Sequence, residues 1–268
     1  MFQPHVLILR APGTNCDEET AFAFQLAGGL PEHVHINRLL ESPSLTNGFQ
    51  ILCIPGGFSY GDDVAAGRIL AGQIRHHLAD SIRRFHTAEK LILGICNGFQ
   101  VLLKSGILLA DNVTGSPATL TWNESGRFED RWVRLRTDGQ RCVFLAGPFS
   151  SGADQIQLPV AHAEGRFVAR DEQILSQLDQ AGQLVLRYQS SESDSSASDG
   201  AEVAFPDNPN GSQGNVAGVC DPTGRVLGLM PHPERYLYAT NHPCWTREPQ
   251  KEVGDGLQIF QNAVGYFR

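Results

Sequence analysis

One cysteine of this sequence stands where the chain is predicted to turn from a buried strand into a helix. The segment LILGICNGFQ (residues 91–100) is apolar up to GICNG (residues 94–98), which holds Cys96. GICNG has the G-x-nucleophile-x-G spacing of a nucleophile elbow, with cysteine in place of serine. At the start of a helix, free amides and the helix dipole favour a thiolate. On these five residues alone, a nucleophile and a buried cysteine at a tight turn fit equally well.

A thiol nucleophile needs a histidine, and that histidine needs an acceptor that orients it. His232 follows an apolar run in VLGLMPHPER (residues 226–235), and Glu234 comes two residues later. In an extended segment, residues i and i+2 point the same way, so the carboxylate can reach the imidazole. Pro231 and Pro233 restrict the backbone on either side of the histidine. Together with Cys96, this pair predicts a Cys–His–Glu catalytic triad.

A third segment that could take part in catalysis is CIPGGFSYGDD (residues 53–63), which also follows an apolar run. Gly56 and Gly57 let the backbone approach a ligand closely and direct an N–H group at it. One amide from this turn and the amide of Asn97 would complete an oxyanion hole. By itself, the segment is equally typical of an ordinary glycine turn.

The elements that must position these residues alternate along the first half of the chain. Strand-like runs HVLILR, HVHINRLL, FQILCIPGG and KLILGIC alternate with helical patterns at residues 17–29 and 62–88. Such alternation predicts an α/β fold with a mostly parallel sheet flanked by helices on both faces, and ligands bind at the carboxyl ends of its strands. The alternating pattern of residues 119–137 predicts an antiparallel excursion. We expect one domain over residues 1–268, with a mobile acidic loop at 190–200.

Composition excludes several classes of protein. The 268 residues carry a formal net charge of −8, which disfavours binding to nucleic acids or anionic membranes. No apolar run approaches the roughly 20 residues of a spanning helix, and MFQPHVLILR is predicted as a first strand rather than a signal peptide. The six cysteines show neither C-x-x-C pairs nor zinc-site spacing, so we expect reduced thiols, no metal, and a cytoplasmic location. Cys16, which has no elbow, is predicted to be structural.

Taken together, these residues resemble the class I glutamine amidotransferases, whose triad is an elbow cysteine with a late His-x-Glu. Within that class, seven segments resemble the glutaminase subunits of phosphoribosylformylglycinamidine synthases, and they span nearly the whole chain. They are APGTNCD, PGGFSYGDD, GICNGFQ, NESGRF, AHAEGRF, NPNGS and GLMPHPER. The acidic stretch at 190–200 departs from the family pattern because it is longer than expected.

The resemblance implies a role for each site residue. Cys96 would attack the side-chain amide of glutamine and form a glutamyl thioester. His232, held by Glu234, would protonate the leaving ammonia and then activate water. The amides of Gly57 and Asn97 would hold the oxyanion. The resemblance also implies that Gln100 contacts the α-substituents of glutamine and that the segment Asn210, Gly211 and Ser212 lines the same pocket.

The resemblance also implies partners. The ammonia would pass to a separate ATP-dependent synthetase subunit that converts formylglycinamide ribonucleotide to the amidine in de novo purine synthesis, with room for a small third subunit. The sequence contains no GxxxxGKS phosphate-binding loop, so ATP and magnesium are expected on the synthetase and no cofactor in this chain.

Three other functions stay open on the sequence. A hydrolase of the same fold could cleave γ-glutamyl or peptide bonds without delivering ammonia. A non-catalytic module could retain the fold, although it would be free to lose Cys96, His232 or Glu234. A redox sensor could use an elbow cysteine of low pKa, but it would not need the His-Pro-Glu segment.

Overall fold

The computed structural model describes residues 2–111, 115–138, 141–147, 155–190, 202–247 and 252–268. The acidic loop predicted at 190–200 lies outside the described residues, apart from Ser190. Within the described part there are eleven strands and seven α-helices. The strands are β1 (His5–Arg10), β2 (Leu30–His35), β3 (Ile51–Ile54), β4 (Leu91–Ile95), β5 (Ala118–Thr121), β6 (Glu129–Thr137), β7 (Gln155–His162), β8 (Arg166–Ala169), β9 (Leu186–Gln189), β10 (Val216–Cys220) and β11 (Val226–Leu229). The helices are α1 (Asp17–Leu26), α2 (Ile36–Glu41), α3 (Arg68–Gln73), α4 (Ala79–Thr87), α5 (Asn97–Ser105), α6 (Glu172–Gln180) and α7 (Leu257–Gly265).

Nine of these strands form one sheet in the order β2-β1-β3-β4-β11-β10-β9-β6-β7. The first five are parallel to one another, and each later neighbour pairs antiparallel. The order β2-β1-β3-β4-β11 is the flavodoxin-like order of a doubly wound sheet. The predicted fold class, a parallel sheet with an antiparallel excursion, is confirmed.

The parallel strands are apolar throughout because both sides of the sheet are covered. Every residue of β3 and β4 is buried, as expected for central strands of a doubly wound sheet. The chain moves in one direction along the sheet from β1 to β2 and in the other from β3 to β4. Since such crossovers are right-handed, their helices lie on opposite faces. On one face of the sheet α1 packs against α7, and on the other face α3 packs against α5.

Two predicted elements differ from those observed. The run HVHINRLL was predicted as a strand, but β2 ends at His35 and Ile36–Glu41 forms α2. The imidazole Nδ1 of His35 accepts a hydrogen bond from the amide of Asn37, which caps the new helix. The helix predicted over residues 62–88 starts only at Arg68, because Asp62, Val64 and Gly67 have positive φ.

The parallel half places the predicted catalytic residues at one edge of the sheet. β4 and β11 are neighbours, with Leu229 opposite Ile95. Cys96 follows β4 directly, and His232 comes three residues after β11. In the described part of the chain, no helix is long and apolar enough to cross a membrane.

Candidate active site

Cys96 occupies a sharp turn between β4 and α5. Its backbone has φ 50° and ψ −104°, a conformation that costs a non-glycine residue about 1–3 kcal/mol. Position 98, two residues after Cys96, must be glycine because a Cβ on Gly98 would lie 1.8 Å from the carbonyl oxygen of Ile54. The elbow geometry expected from GICNG is therefore present. It holds a thiol in a strained position at the helix start, which is where a nucleophile gains from free amides.

His232 and Glu234 form a buried pair beside this turn. Nδ1 of His232 lies 2.6 Å from Oε1 of Glu234, and both side chains are almost completely buried. The amide of His232 donates to the carbonyl of Pro159 in β7, which fixes the backbone. The prediction that the pair would meet is confirmed, but its reason was wrong. Pro233–Arg235 is a 3₁₀ turn, so the carboxylate folds back onto the imidazole rather than extending along a strand.

The electrostatic surroundings keep the imidazole protonated. Burial alone would lower the pKa of His232, but the Glu234 carboxylate and the thiols of Cys96 and Cys16 outweigh it and hold this pKa well above its usual range. Nε2 of His232 forms no hydrogen bond to a nitrogen or oxygen atom of the described residues, and its ring lies close to the sulfurs of Cys16 and Cys96. The site therefore holds a proton donor next to a thiol, with its donor nitrogen available for a reacting group.

Cys16 also reaches this pair, contrary to expectation. Its sulfur, a ring nitrogen of His232 and an oxygen of Glu234 all lie within 4.8 Å of one another. Nη2 of Arg235 donates to the same sulfur over 3.2 Å. Sequence separation concealed this contact, because Cys16 precedes α1 and the pair follows β11. Two thiols thus lie near one imidazole, and of these two only Cys96 occupies an elbow.

The two residues predicted to supply the oxyanion hole belong to the glycine turn after β3 and to the start of α5. Gly57 has φ 131°, and a Cβ there would lie 2.7 Å from the amide nitrogen of Asn15, so only glycine fits. Its neighbour Gly56 passes close to the imidazole, since a Cβ on it would lie 2.9 Å from Cε1 of His232. Asn97 is the first residue of α5, so its amide has no acceptor within the helix. The role of both amides stays a prediction.

The side chain of Asn97 ties the glycine loop to the elbow. Its Oδ1 accepts from the amide of Ser59, and its Nδ2 donates to Oδ1 of Asp62 and to Oε1 of Gln100. Gln100 in turn donates from Nε2 to the carbonyl of Glu164 over 2.6 Å. Both polar ends of Gln100 are therefore engaged within the protein, which favours a supporting role. Its predicted contact with substrate is untested.

The segment predicted to line the substrate pocket supports a neighbouring turn. Nδ2 of Asn210 donates to the hydroxyl of Tyr188 and to the carbonyl of Gly165, each over 2.9 Å. Gly211 and Ser212 line a pocket of about 770 Å³, and no member of the Cys–His–Glu set lines that pocket. Asn210 is linked toward the elbow through Tyr188, whose pKa is raised by burial and by the charge of Cys96.

The sequence also contains a second His-x-Glu, at His162 and Glu164, to which no role was assigned. Its geometry excludes a catalytic pair, because Nδ1 of His162 contacts Oδ1 of Asn123 at 3.1 Å and Oε2 of Glu164 accepts from the amide of Ala66. Burial and the charge of His232 lower the pKa of His162 to about 3, so this histidine is neutral. The end of β7, which precedes this turn, still lies at the site, since the carbonyl of Ala161 is 3.8 Å from the sulfur of Cys96. The His-x-Glu spacing of His162 and Glu164 could have identified this segment from the sequence as a neighbour of the site.

Comparison with known proteins gives one consistent result. Residues 3–267 match the model of the CobB/CobQ-like glutamine amidotransferase domain. A protein of Dehalococcoides mccartyi described as phosphoribosylformylglycinamidine synthase subunit PurQ is 46% identical over 269 residues, covering 100% of this chain and 99% of the relative. A Methanococcus maripaludis protein of the same description is 40% identical over 276 residues, covering 98% of this chain and 97% of the relative.

Solved structures agree with this assignment. A chain in the structure of PurLQS from Thermotoga maritima superposes with a TM-score of 0.73 at 30% identity, and the match covers 100% of both chains. A putative GMP synthase subunit from Thermoplasma acidophilum has a TM-score of 0.56 at 13% identity, covering 99% of this chain and 94% of that one, which supports the fold alone. The chain belongs to the CobB/CobQ-like glutamine amidotransferase family.

Proposed function

We propose that this chain is the glutaminase subunit of a phosphoribosylformylglycinamidine synthase. The observation that carries the proposal is the elbow thiol of Cys96 beside the buried His232–Glu234 pair, in a chain that matches a glutamine amidotransferase model over 3–267. The whole chain acts as one amidotransferase unit. Its relatives in Dehalococcoides and Methanococcus are described as subunits of that synthase, which supports the choice of acceptor reaction.

The proposed reaction begins with attack of the Cys96 thiolate on the side-chain amide carbon of glutamine. The resulting oxyanion is held by the amides of Gly57 and Asn97. His232 gives its proton to the leaving nitrogen, ammonia departs, and a glutamyl thioester remains. The imidazole, now neutral, removes a proton from water as the water attacks the thioester. Glutamate leaves, so one glutamine and one water yield one glutamate and one ammonia.

The ammonia passes to a synthetase subunit, which uses it to convert formylglycinamide ribonucleotide to formylglycinamidine ribonucleotide. The PurLQS structure, in which the matching chain was solved, supports a complex with partner subunits. ATP and magnesium bind to the synthetase, since this chain lacks a GxxxxGKS loop. The six free cysteines are in keeping with a reducing, cytoplasmic location.

The loop after Gly57 is suited to control by that partner. Tyr60, Asp62 and Val64 all have positive φ, and each such position costs about 1–3 kcal/mol. The side chain of Asn97 holds this strained loop against the elbow. A docked partner can therefore change the orientation of the Gly57 amide by acting on the loop. One missing oxyanion donor reduces turnover by roughly 10²- to 10³-fold.

We expect the purified chain alone to be a weak glutaminase that the synthetase activates by roughly 10²- to 10³-fold. The experiment measures glutamate from glutamine for the chain alone, then with the synthetase and its nucleotide ligands. The Cys96→Ala chain with the same partner controls for contaminating glutaminase, and free ammonia tests the synthetase by itself. Full activity without the partner would refute the regulation. Glutamate formation that never supports amidine synthesis would refute the acceptor reaction.

A further inference from the structure

The catalytic pair has a third neighbour that the proposed reaction does not use. Cys16 is 1% exposed, and its sulfur lies within 4.8 Å of both a ring nitrogen of His232 and a carboxylate oxygen of Glu234. The three residues come from two separate parts of the chain, the start of α1 and the 3₁₀ turn after β11. A thiol, an imidazole and a carboxylate within one small volume form a ligand set typical of a zinc site with an open position.

One polar atom of this cluster is buried without a partner. Oε2 of Glu234 forms no hydrogen bond to any described residue, and its side chain is more than nine-tenths buried. Leaving a buried polar atom unpaired costs about 1–3 kcal/mol. The proposed reaction does not explain this atom, because Oε1 already orients the imidazole.

The local charges are compatible with a divalent cation. Arg235 lies 3.2 Å from the sulfur of Cys16, but its guanidinium is also bonded to Glu19, with Nε to Oε1 at 3.0 Å. With Cys16 as a thiol and His232 as an imidazolium, the charges of Glu19 and Glu234 balance those of Arg235 and His232. A divalent cation would replace one proton on the thiol and one on the imidazolium, so the net charge of the cluster would not change.

We propose that Cys16, His232 and Glu234 form an inhibitory site for a thiophilic divalent cation such as Zn²⁺. Zinc bonds to sulfur, imidazole nitrogen and carboxylate oxygen at about 2.0–2.3 Å, so small shifts within a cluster of this size bring all three ligands to the ion. The protons of the Cys16 thiol and of Nδ1 of His232 go to solvent, and no electron is transferred. With the ion on Nδ1, giving the Nε2 proton to ammonia would leave an imidazolate, so glutamine cleavage stops.

Zinc at this site is not bound by the nucleophile, because Cys96 is not among the ligands. The full-length Cys96→Ala protein should therefore still bind one Zn²⁺ per chain in equilibrium dialysis. Cys16→Ser should lose binding by roughly 10- to 100-fold or more, since even an outer partner of a metal ligand is worth that much. Cys244→Ser is the matched control, because it removes the exposed thiol that would bind zinc adventitiously.

The absorption spectrum of bound Co²⁺ tests directly whether Cys16 is a ligand. Co²⁺ bound to the Cys96→Ala protein should show a thiolate-to-cobalt charge-transfer band that is absent when Cys16 is also replaced by serine. Thermal unfolding of each variant establishes that the chain is folded. Binding does not depend on the proposed glutaminase activity, so these results stand even if that activity is refuted.

Inhibition is then measured in the chain–synthetase mixture as the ratio of rates with and without Zn²⁺. The parent should be inhibited at least tenfold by excess Zn²⁺, and Cys16→Ser should need a roughly 10- to 100-fold higher concentration for the same ratio. Equal inhibition of both would overturn the proposal and assign the metal to Cys96. Absence of zinc binding to the folded Cys96→Ala protein would overturn it as well.

Discussion

Glutamate formation should fall to the background rate when Cys96 is replaced by alanine. No thioester can form without the elbow thiol, and loss of the nucleophile in a catalytic triad costs on the order of 10⁶-fold in turnover. The measurement is glutamate released from glutamine by the chain with its synthetase partner, because the partner raises the rate of the parent. Cys96 is buried, but alanine is smaller, so the variant should keep its fold in thermal unfolding.

Cys16 and Cys53 provide the matched controls for this substitution. Cys16 is the more informative control, because its sulfur lies near the same imidazole but its backbone does not have the conformation of an elbow. Cys16→Ala and Cys53→Ala should each exceed the activity of Cys96→Ala by orders of magnitude. Substantial glutamate formation by the folded Cys96→Ala protein would mean that another thiol, or none, is the nucleophile.

Replacement of His232 by alanine should have the second largest effect. Both the departure of ammonia and the attack of water need its proton transfer, and general acid–base assistance is worth roughly 10²- to 10⁴-fold. Glu234→Gln should cost less, because the amide can still contact Nδ1 at the observed 2.6 Å position while losing the charge that stabilises the imidazolium. The measurement is kcat for glutamate formation by each variant, with the synthetase present.

The second His-x-Glu supplies a control of equal spacing. The carboxylate of Glu164 accepts from the amide of Ala66 and does not orient His162. Glu164→Gln should therefore reduce kcat much less than Glu234→Gln does. Rates close to the parent for both His232→Ala and Glu234→Gln would remove the pair from the mechanism.

Much of this site was predictable because its signals are local. The apolar runs of β3 and β4 specify buried parallel strands, and parallel strands end at one edge. The glycines around Cys96 specify an elbow because a Cβ at Gly98 would collide with Ile54. Fold class and triad therefore follow from short segments read in order.

What the sequence could not predict depends on contacts between distant segments. Cys16 lies 216 positions before His232, and no local pattern places its sulfur at the imidazole. Likewise, no local pattern places Nε2 of Gln100 at the carbonyl of Glu164, 64 positions away, and the contact of Gln100 with substrate stays a prediction. The change from β2 to α2 is hidden because INRLL continues the apolar character of the strand, and its cap is a histidine rather than a serine or aspartate.

The central claim is that this chain cleaves glutamine through a covalent intermediate on Cys96, and covalent labelling tests it most directly. The chain, with its synthetase partner, is treated with an electrophilic analogue of glutamine, digested, and its cysteine peptides are compared by mass spectrometry, with and without excess glutamine. We predict one equivalent of label on Cys96, protection by glutamine, and little label on the other five cysteines. Label on Cys16 instead, or labelling of Cys96 that glutamine does not slow, would contradict the account.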